Sequence, residues 1–337
     1  MVAAATTTGV LLKRPTEHPV AAWPTSTNPV INQNYPDPFV LKSGTDFYSF
    51  ATNDFGSNVQ TATSANLLNW TKLPDSLPVL PSWSDGWVWA PNVHLSPSGN
   101  YNMVFAARYN KTRMAIGLAI SPSGPAGPYE AIHSEFPFID MPQEGGAIDP
   151  SYFKDDNGDQ YLIWKSDGNA VSATCAIWCQ GLAADGLSLV GLPWPLLRDD
   201  KNWEYQVIEA PNLIKHDNVY YLYYSAGHYF DWTYTVAYAT STSIIGPFVK
   251  QGRVLSTMGD LVGPGKCCTI QVSSSSTWMI FHSLYFLPNT SDPRVTYRAM
   301  DILPMSYDSR GKPVVSSSWG NDLHVLSALN ASAFGSK

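Results

Sequence analysis

The feature that most constrains this chain is a series of aromatic, strand-like segments that recur at long and nearly constant intervals. Each segment combines aromatic residues with apolar neighbours, as in the run Tyr-Tyr-Leu-Tyr-Tyr at 220–224. The intervals are 53, 60, 60 and 57 residues between the five markers Tyr48, Tyr101, Tyr161, Tyr221 and Trp278. A period of this length is typical of a four-stranded propeller blade, although it is somewhat longer than the usual repeat.

Every repeat has the same internal order of signals. A first strand begins at a Pro-containing motif, and these motifs contain Pro36, Pro91, Pro150, Pro211 and Pro264. A turn with Gly, Asn or Asp follows, and these residues accept the positive φ angles of a tight hairpin. The aromatic strand comes next, and then a strand rich in Ala, Thr and Val. The middle strands are almost continuously apolar, which fits sheets stacked against each other on both faces.

Five such units predict an all-β fold, a five-bladed β-propeller. Its innermost strands line a central channel, and their first residues converge at one end of that channel. We expect an N-terminal extension over residues 1–28 and a single propeller domain over residues 29–337. An all-β sandwich with hairpins at regular intervals is the alternative.

Composition limits the partners of this chain. Charged residues make up 14% of the 337 residues, against a usual value of about 25%, and the formal net charge is −7. This charge argues against nucleic acid and anionic membrane surfaces as partners. No apolar run reaches the length of about 18 residues that a membrane span needs.

The four cysteines do not predict a disulfide framework. Cys175 and Cys179 are too far apart within one strand to bridge easily, and a bond between the adjacent Cys267 and Cys268 would be strained. Neither spacing is that of a zinc site. We expect four reduced core thiols, which favours the cytosol. The first residues also lack the features of a signal peptide; secretion is the alternative, if a signal has been removed.

Three short motifs place an acid at the start of a predicted first strand. The acids are Asp37 in Tyr-Pro-Asp-Pro-Phe, Asp149 in Ile-Asp-Pro-Ser-Tyr and Glu209 in Ile-Glu-Ala-Pro-Asn. A rigid turn explains either aspartate alone, but Glu209 stands between apolar neighbours, where an unpaired acid is costly. Because the first strands of a propeller begin around one axis, we expect the three acids to converge in a catalytic pocket.

Two carboxyl groups in opposite protonation states are what glycosidic hydrolysis requires. Glu209 has the apolar flanks expected of the acid, and Asp37 is the candidate for the base. Asp149 could hold the proton of the acid in place by like-charge repulsion. A separation of about 6.5–9.5 Å between base and acid predicts inversion and about 5–5.5 Å predicts a covalent intermediate, and sequence leaves that choice open.

On these motifs the chain resembles glycoside hydrolase family 43 over residues 29–315. The matching segments are 34–38, 89–91, 146–150, 208–211, 263–265 and 297–301. The resemblance implies a five-bladed propeller and an inverting mechanism, with Asp37 as general base, Asp149 as pKa modulator and Glu209 as general acid. It also implies that Arg298 reaches the sugar from the last blade and that Trp89 forms an aromatic wall.

One departure from the family pattern bears on metal binding. Many members carry His after the Gly-Pro-Gly segment, near a metal or water cluster on the axis that is often calcium. Here that position is Lys266, whose ammonium could supply the same positive charge. We therefore expect no metal-ligating residues and no required cofactor, with a structural calcium disfavoured. We expect His282 to be a buried, hydrogen-bonded histidine.

The resemblance also bears on the substrate, because the family cleaves β-xylosides, α-L-arabinofuranosides and arabinans. Trp87, Trp89 and His228 are candidate rim residues of a walled pocket, which favours removal of one terminal sugar. We expect an exo-acting enzyme on xylo- or arabino-oligosaccharides. The alternatives are an endo-arabinanase, a retaining fructan or sucrose hydrolase, whose usual Asn-Asp-Pro-Asn motif is absent, and a non-catalytic sugar-binding propeller.

Overall fold

The computed structural model of the chain describes residues 28–273, 276–286 and 296–316. Most of the predicted extension at 1–28, and the end of the predicted domain from 317 onward, lie outside the described residues. The described chain forms twenty strands in five four-stranded sheets. The prediction of an all-β, five-bladed propeller is confirmed.

Each blade takes four consecutive strands. Blades 1 to 3 contain β1 (Phe39–Ser43), β2 (Asp46–Ala51), β3 (Gln60–Ser64), β4 (Thr71–Leu73), β5 (Trp89–Leu95), β6 (Tyr101–Tyr109), β7 (Arg113–Ser121), β8 (Glu130–Ala131), β9 (Ala147–Lys154), β10 (Gln160–Ser166), β11 (Ala176–Leu182) and β12 (Leu189–Arg198). Blades 4 and 5 contain β13 (Ile208–His216), β14 (Val219–Ala226), β15 (Thr235–Ser241), β16 (Val249–Leu255), β17 (Gly265–Ser273), β18 (Ser276–Phe286), β19 (Thr296–Tyr307) and β20 (Pro313–Val315).

The strands of each blade pair antiparallel in chain order, so every blade is a simple meander. The first strands of neighbouring blades contact one another in the cyclic order β1, β5, β9, β13, β17 and back to β1. They therefore surround one axis, and all five begin at the same end of it, here called the upper end. Three single-turn 3₁₀ helices lie in the described connections at the upper end, at Pro142–Glu144, Gly168–Val171 and Asn202–Glu204.

The hydrophobic core is divided among the five interfaces between neighbouring blades. One large cluster joins each pair, and their largest members include Trp278 between blades 5 and 1, Phe105 between blades 1 and 2, and Trp164 between blades 2 and 3. Two more large clusters centre on Tyr224 and Phe281, and a small sixth cluster with Met114 and Ile148 adds to the interface of blades 2 and 3. Both faces of every sheet are thus buried against another sheet, which explains why the middle strands are apolar without alternation.

The ring is closed by the segment that precedes blade 1. Val30 donates its backbone N–H to the carbonyl of Met300 in β19 over 2.9 Å. The side chain of Asn28 donates to the carbonyl of Ile302 over 3.0 Å and accepts its N–H over 3.1 Å. The first blade is therefore bonded to the last one through backbone groups of the described chain.

The four cysteines are buried and unpaired, as expected. None of the helices in the described ranges has the length and apolar character needed to cross a bilayer.

Phe105→Ala should destabilise the protein by about 3–5 kcal/mol, because it empties a fully buried position between blades 1 and 2. Phe55 is a matched control, since its ring is exposed and Phe55→Ala should change stability by less than about 0.5 kcal/mol. Urea or thermal unfolding of the two variants measures the difference. Similar losses in both variants would contradict the assignment of the core to the blade interfaces.

Candidate active site

One residue in each blade has a positive φ at the start of the first strand. These residues are Asp37 (φ 58°), Ala90 (47°), Asp149 (55°), Ala210 (54°) and Lys266 (49°). In blades 2 to 5 the ladder to the second strand skips this residue, as a β-bulge does. A left-handed backbone costs a residue other than glycine about 1–3 kcal/mol, and such strain clusters at functional sites.

The two aspartates occupy this left-handed position, but Glu209 stands one residue before it. Asp37 and Asp149 are therefore related by the rotation of the propeller, whereas the counterpart of Glu209 in blade 2 is Trp89. The three acids converge as expected, although only two of them are equivalent. The glutamate thus enters the axis from a different backbone orientation than the aspartates.

The bulge removes the N–H of the left-handed residue from the ladder, and a side chain of the preceding blade accepts it. Asp149 Oδ2 accepts the N–H of Ala210 over 2.9 Å, and Ser225 Oγ accepts that of Lys266 over 2.7 Å. The same contact is made in two more blades, by Thr52 to Ala90 over 3.0 Å and by His282 to Asp37 over 3.1 Å. Four of the five blade starts are thus tied to the preceding blade beside the axis.

Asp37 is an ion-paired carboxylate. Its Oδ1 accepts from Arg298 Nη1 over 3.0 Å, and its Oδ2 accepts from the Thr52 hydroxyl over 2.6 Å. Burial alone would raise the pKa of Asp37, but the Arg298 charge and the Thr52 hydrogen bond outweigh it and lower the pKa below its ordinary value. The charged form is therefore favoured at neutral pH.

Asp149 has the opposite character. Burial raises its pKa to about 6, with Glu209 and Asp37 adding repulsion against the attraction of Lys266 and Lys165. Its side chain is almost fully buried, and its resolved hydrogen bond is the one from the Ala210 N–H. The two rotationally equivalent aspartates are thus driven apart in pKa by their surroundings, a separation typical of catalytic carboxylates.

Both oxygens of Glu209 have a donor. Lys165 Nζ donates to Oε2 over 3.0 Å, and the Tyr234 hydroxyl donates to Oε1 over 2.7 Å. Lys165 also reaches Asp167 Oδ1 over 3.3 Å. Burial alone would lower the pKa of Lys165, but the carboxylates of Glu209 and Asp167 outweigh it and raise it above its ordinary value. Lys165 therefore stays cationic and holds Glu209 in place.

The Gly-Pro-Gly segment has a steric role in this arrangement. A Cβ on Gly265 would come within 1.9 Å of the Tyr234 ring. The absence of a side chain there lets the ring lie across β17 and reach Glu209. The ring also stacks on His282, at 5.7 Å between centroids and 10° between planes.

His282 is fully buried, in agreement with the sequence prediction. Its Nδ1 accepts the Asp37 N–H, so the ring proton lies on Nε2, which has no protein partner among the described residues. Burial lowers the pKa of His282 to about 3, so it is neutral. Lys266 is almost fully buried at the axis, and no group of three His, Cys, Asp or Glu residues within the described ranges could hold a metal ion.

The predicted rim residues fall into two groups on different sides of the acids. Trp87 and Trp89 lie together, with ring centroids 5.9 Å apart, on a groove between blades 2 and 3. His228 belongs instead to an aromatic cluster on blade 4, where it stacks on Phe230 at 5.5 Å and lies 6.1 Å from Tyr205. The structure therefore brings Arg298 to an acid and places the other three predicted residues around the mouth.

Comparison with known proteins identifies the family of this chain. The sequence model of the family described as Glycosyl hydrolases family 43 matches residues 26–313. This chain belongs to glycosyl hydrolase family 43. A β-D-galactofuranosidase of Aspergillus niger is 28% identical over 84% of the chain and 86% of that protein. An extracellular exo-α-(1→5)-L-arabinofuranosidase of Cellvibrio japonicus is 24% identical over 83% of the chain and 85% of that protein.

Solved structures of other proteins have the same fold. A thermostable family-43 glycoside hydrolase superposes with a TM-score of 0.76 at 27% identity, covering 86% of this chain and 95% of the other. An exo-1,5-α-L-arabinanase from a bovine ruminal metagenomic library superposes with a TM-score of 0.69 at 22% identity, covering 86% and 98%. The second likeness concerns the fold alone.

Sequence reasoning on this family-43 chain missed three residues that contact the acids, namely Thr52, Lys165 and Tyr234. A signal existed for two of them. Thr52, Lys165 and His282 each stand four positions after the aromatic marker of their repeat. Aligning the repeats on those markers would therefore have drawn attention to a lysine at the end of an apolar strand.

Asp149→Asn should stabilise the protein at about pH 7 more than at about pH 4. The pKa of Asp149 is about 6 in the folded state and 3.8 in its ordinary environment. Between these values the folded state holds a proton that the unfolded state releases, so the wild type loses on the order of 1–3 kcal/mol as pH rises through this window. The amide does not titrate, and its oxygen can still accept the Ala210 N–H.

Thermal unfolding of the wild type and the Asn variant across this pH range measures the effect. A stability difference that is the same at both ends of the range would contradict the raised pKa of Asp149.

Proposed function

We propose that the chain is an exo-acting glycoside hydrolase that releases a terminal pentose, β-D-xylose or α-L-arabinofuranose, from hemicellulose-derived oligosaccharides with inversion. Asp37 is the general base, Glu209 the general acid, and Asp149 modulates the pKa of the acid. The observation that carries the proposal is that these three carboxylates meet at one end of the axis. Their surroundings lower the pKa of one of the two equivalent aspartates and raise the pKa of the other.

The contacts of Asp37 support its role as base. Arg298 and Thr52 occupy one oxygen each and favour the ionised form, which is the form that can accept a proton from water. Arg298 is itself held from the other side, because its guanidinium carbon lies 4.8 Å from the centroid of the Tyr229 ring. Arg298 thus lies between the carboxylate of Asp37 and the ring of Tyr229.

The contacts of Glu209 support its role as acid, with one condition. Lys165 and Tyr234 bind its two oxygens, so one of these bonds must give way when the carboxyl group turns to the leaving oxygen. Asp149 stands beside it and is linked to the same strand through the Ala210 N–H. The carboxylates of Glu209 and Asp149 are close enough to repel each other when both are ionised.

The axis does not fit a resident calcium ion. Calcium is bound by several carboxylate and carbonyl oxygens, whereas Lys266 brings an ammonium group to the position next to Asp37 and Asp149, whose pKa values it lowers. We propose that hydrolysis needs no metal and that Lys266 carries the positive charge instead. Activity should then survive treatment with a chelator.

Relatives support a furanoside or pentoside substrate and also suggest a second candidate. Similar proteins include the exo-α-(1→5)-L-arabinofuranosidase of Cellvibrio japonicus and an endo-α-(1→5)-L-arabinanase of Bacillus subtilis. The β-D-galactofuranosidase of Aspergillus niger, at 28% identity, makes β-D-galactofuranosides the second candidate. Nitrophenyl xyloside, arabinofuranoside and galactofuranoside, together with linear arabinan, separate these activities from each other and from binding without cleavage.

Glu209→Ala should lower activity on oligosaccharides by about 10²–10⁴-fold, the usual contribution of a general acid. The loss on nitrophenyl glycosides should be much smaller, because an activated leaving group needs little protonation. Asp37→Ala should abolish turnover of both kinds of substrate, since water activation is needed in either case. Steady-state kcat/KM on one aryl glycoside and one natural oligosaccharide measures both effects. Equal losses for Glu209→Ala on the two substrates would remove it as the acid, and substantial turnover by Asp37→Ala would remove Asp37 as the base.

Tyr229→Ala should lower kcat/KM by about two- to fivefold, the effect of losing one exposed cation–π contact, and shift the acid limb of the pH profile upward. Its ring packs on Arg298, whose charge lowers the pKa of Asp37, so a looser Arg298 leaves Asp37 easier to protonate. Tyr229→Phe keeps the ring and should behave like the wild type. A loss in the Phe variant as large as in the Ala variant would show that the hydroxyl group matters instead.

A further inference from the structure

A groove beside the acidic cluster separates the upper ends of blades 2 and 3. Its volume is about 390 Å³, and its lining includes Trp87, Trp89, Lys111, Asp167 and Val171. This volume is in the range of small-ligand sites. The three axial acids do not line it, so its occupant is a group other than the sugar ring that they attack.

The wall of the groove is held in shape before any ligand binds. Trp87 has a φ of 59°, which is rare for a bulky residue and marks local strain. The guanidinium of Arg108 covers its ring at 5.0 Å, and the Arg108 N–H donates to the Gly86 carbonyl over 3.0 Å. Trp87 nevertheless keeps 55% of its surface exposed. A strained, supported and exposed tryptophan is a ready stacking surface for a sugar ring.

The rim of the groove is positively charged although the whole chain carries −7. Arg108 pairs with Asp85 over 2.8 Å, and Arg113 makes two bonds to Asp140 over 2.7 and 2.5 Å. Lys111 forms no ion pair within the described part of the chain. The rim therefore carries one cation outside these two pairs, and the carboxylate that attracts it from a distance, Asp85, already pairs with Arg108.

The position of Lys111 is fixed by its turn. Asn110 and Lys111 have φ angles of 50° and 58° at the tip of the β6–β7 hairpin. Two successive left-handed residues form the type I′ turn that matches the twist of a hairpin. The backbone of Lys111 is thus held at the groove, and its exposed side chain supplies the charge.

The groove lies on the acid side of the site. Lys165 bonds Glu209 Oε2 over 3.0 Å and Asp167 Oδ1 over 3.3 Å, and Asp167 lines the groove. A general acid must touch the oxygen of the leaving group. The sugar that follows the scissile bond would then extend from Glu209 toward this groove.

We propose that the groove binds the sugar on the leaving-group side of the scissile bond, and that Lys111 at its rim pairs with a carboxylate on that sugar. The substrate class is then an acidic oligosaccharide, in which the terminal pentose is attached next to a uronic acid. Trp87 stacks on the ring of the leaving-group sugar. This inference rests on the proposed function, because it names the substrate of the same site.

A pair of substrates tests it, an oligosaccharide with a uronic acid next to the terminal pentose and the methyl ester of the same molecule. The two have the same linkages and nearly the same bulk but differ in charge. The wild type should show a kcat/KM about fivefold higher on the acid than on the ester at low ionic strength, the size of one favourable exposed ion pair. The ratio should approach one in high salt.

Lys111→Glu should bring the ratio of acid to ester to one or below, and Trp87→Ala should lower kcat/KM on both oligosaccharides together. Lys154→Glu is the matched control, because it makes the same charge change on an exposed lysine at the end of β9, at the opposite end of the propeller. This control should keep the wild-type ratio.

Two outcomes overturn the proposal while leaving the proposed function intact. One is a wild-type ratio of one, with nitrophenyl pentosides still hydrolysed. The other is a ratio that Lys111→Glu does not change, or that changes with Trp232→Ala in the blade 4 cluster instead. Absence of hydrolysis on every pentoside by the wild type would sink the proposed function itself, and this inference with it.

Discussion

The structure depends on how the buried N–H at each blade start finds an acceptor. A bulge at the start of the first strand turns that N–H out of the ladder, and an unsatisfied buried N–H costs about 1–3 kcal/mol. In four blades a side chain of the preceding blade accepts it, from Thr52, Asp149, Ser225 or His282. Three of these acceptors also belong to the acidic site, because Asp149 is one of its acids, Thr52 donates to Asp37 Oδ2, and His282 accepts the Asp37 N–H. The contacts that join neighbouring blades therefore also build the site.

The strained backbone at the blade starts and the protonation of the aspartates both depend on this arrangement of the first strands. Left-handed residues cost energy at every blade start, and the interblade hydrophobic clusters hold them in place. Once the carboxylates are brought together, their neighbours decide their protonation. Asp37 faces Arg298 and is stabilised as an anion, whereas burial and the neighbouring carboxylates raise the pKa of Asp149. Identical side chains at equivalent positions are thus given different chemistry by the blades beside them.

Much of the fold was predictable because each repeat contains the same short sequence motifs in the same order. The aromatic second strands, the Pro motifs and the turn residues fix the blade count, and the interval of nearly sixty residues distinguishes blades from a sandwich. The convergence of Asp37, Asp149 and Glu209 could also be predicted, since their motifs recur at the start of a first strand and an unpaired acid between the apolar neighbours of Glu209 is costly. Lys165 and Tyr234 could not be assigned so easily, because each reads as an ordinary member of a strand or loop. Their role depends on contacts across blades, and Tyr234 further depends on the missing side chain at Gly265.

The offset of Glu209 shows the limit of pattern reasoning. Its motif looks like those of the aspartates, but the left-handed residue in blade 4 is Ala210. A shift of one residue reverses the direction of a side chain relative to a strand, so equivalence must be read from the backbone. Glu209 and Asp37 therefore enter the site from different backbone orientations.

The stereochemistry of the first-formed sugar tests the central claim most directly. Proton NMR during the first minutes of hydrolysis, before mutarotation, distinguishes the two anomers of the released pentose. If Asp37 activates water while Glu209 protonates the leaving oxygen, the first product has the anomeric configuration opposite to that of the substrate. A first product with the same configuration would mean a covalent intermediate and would contradict the assignment of Asp37 as a base.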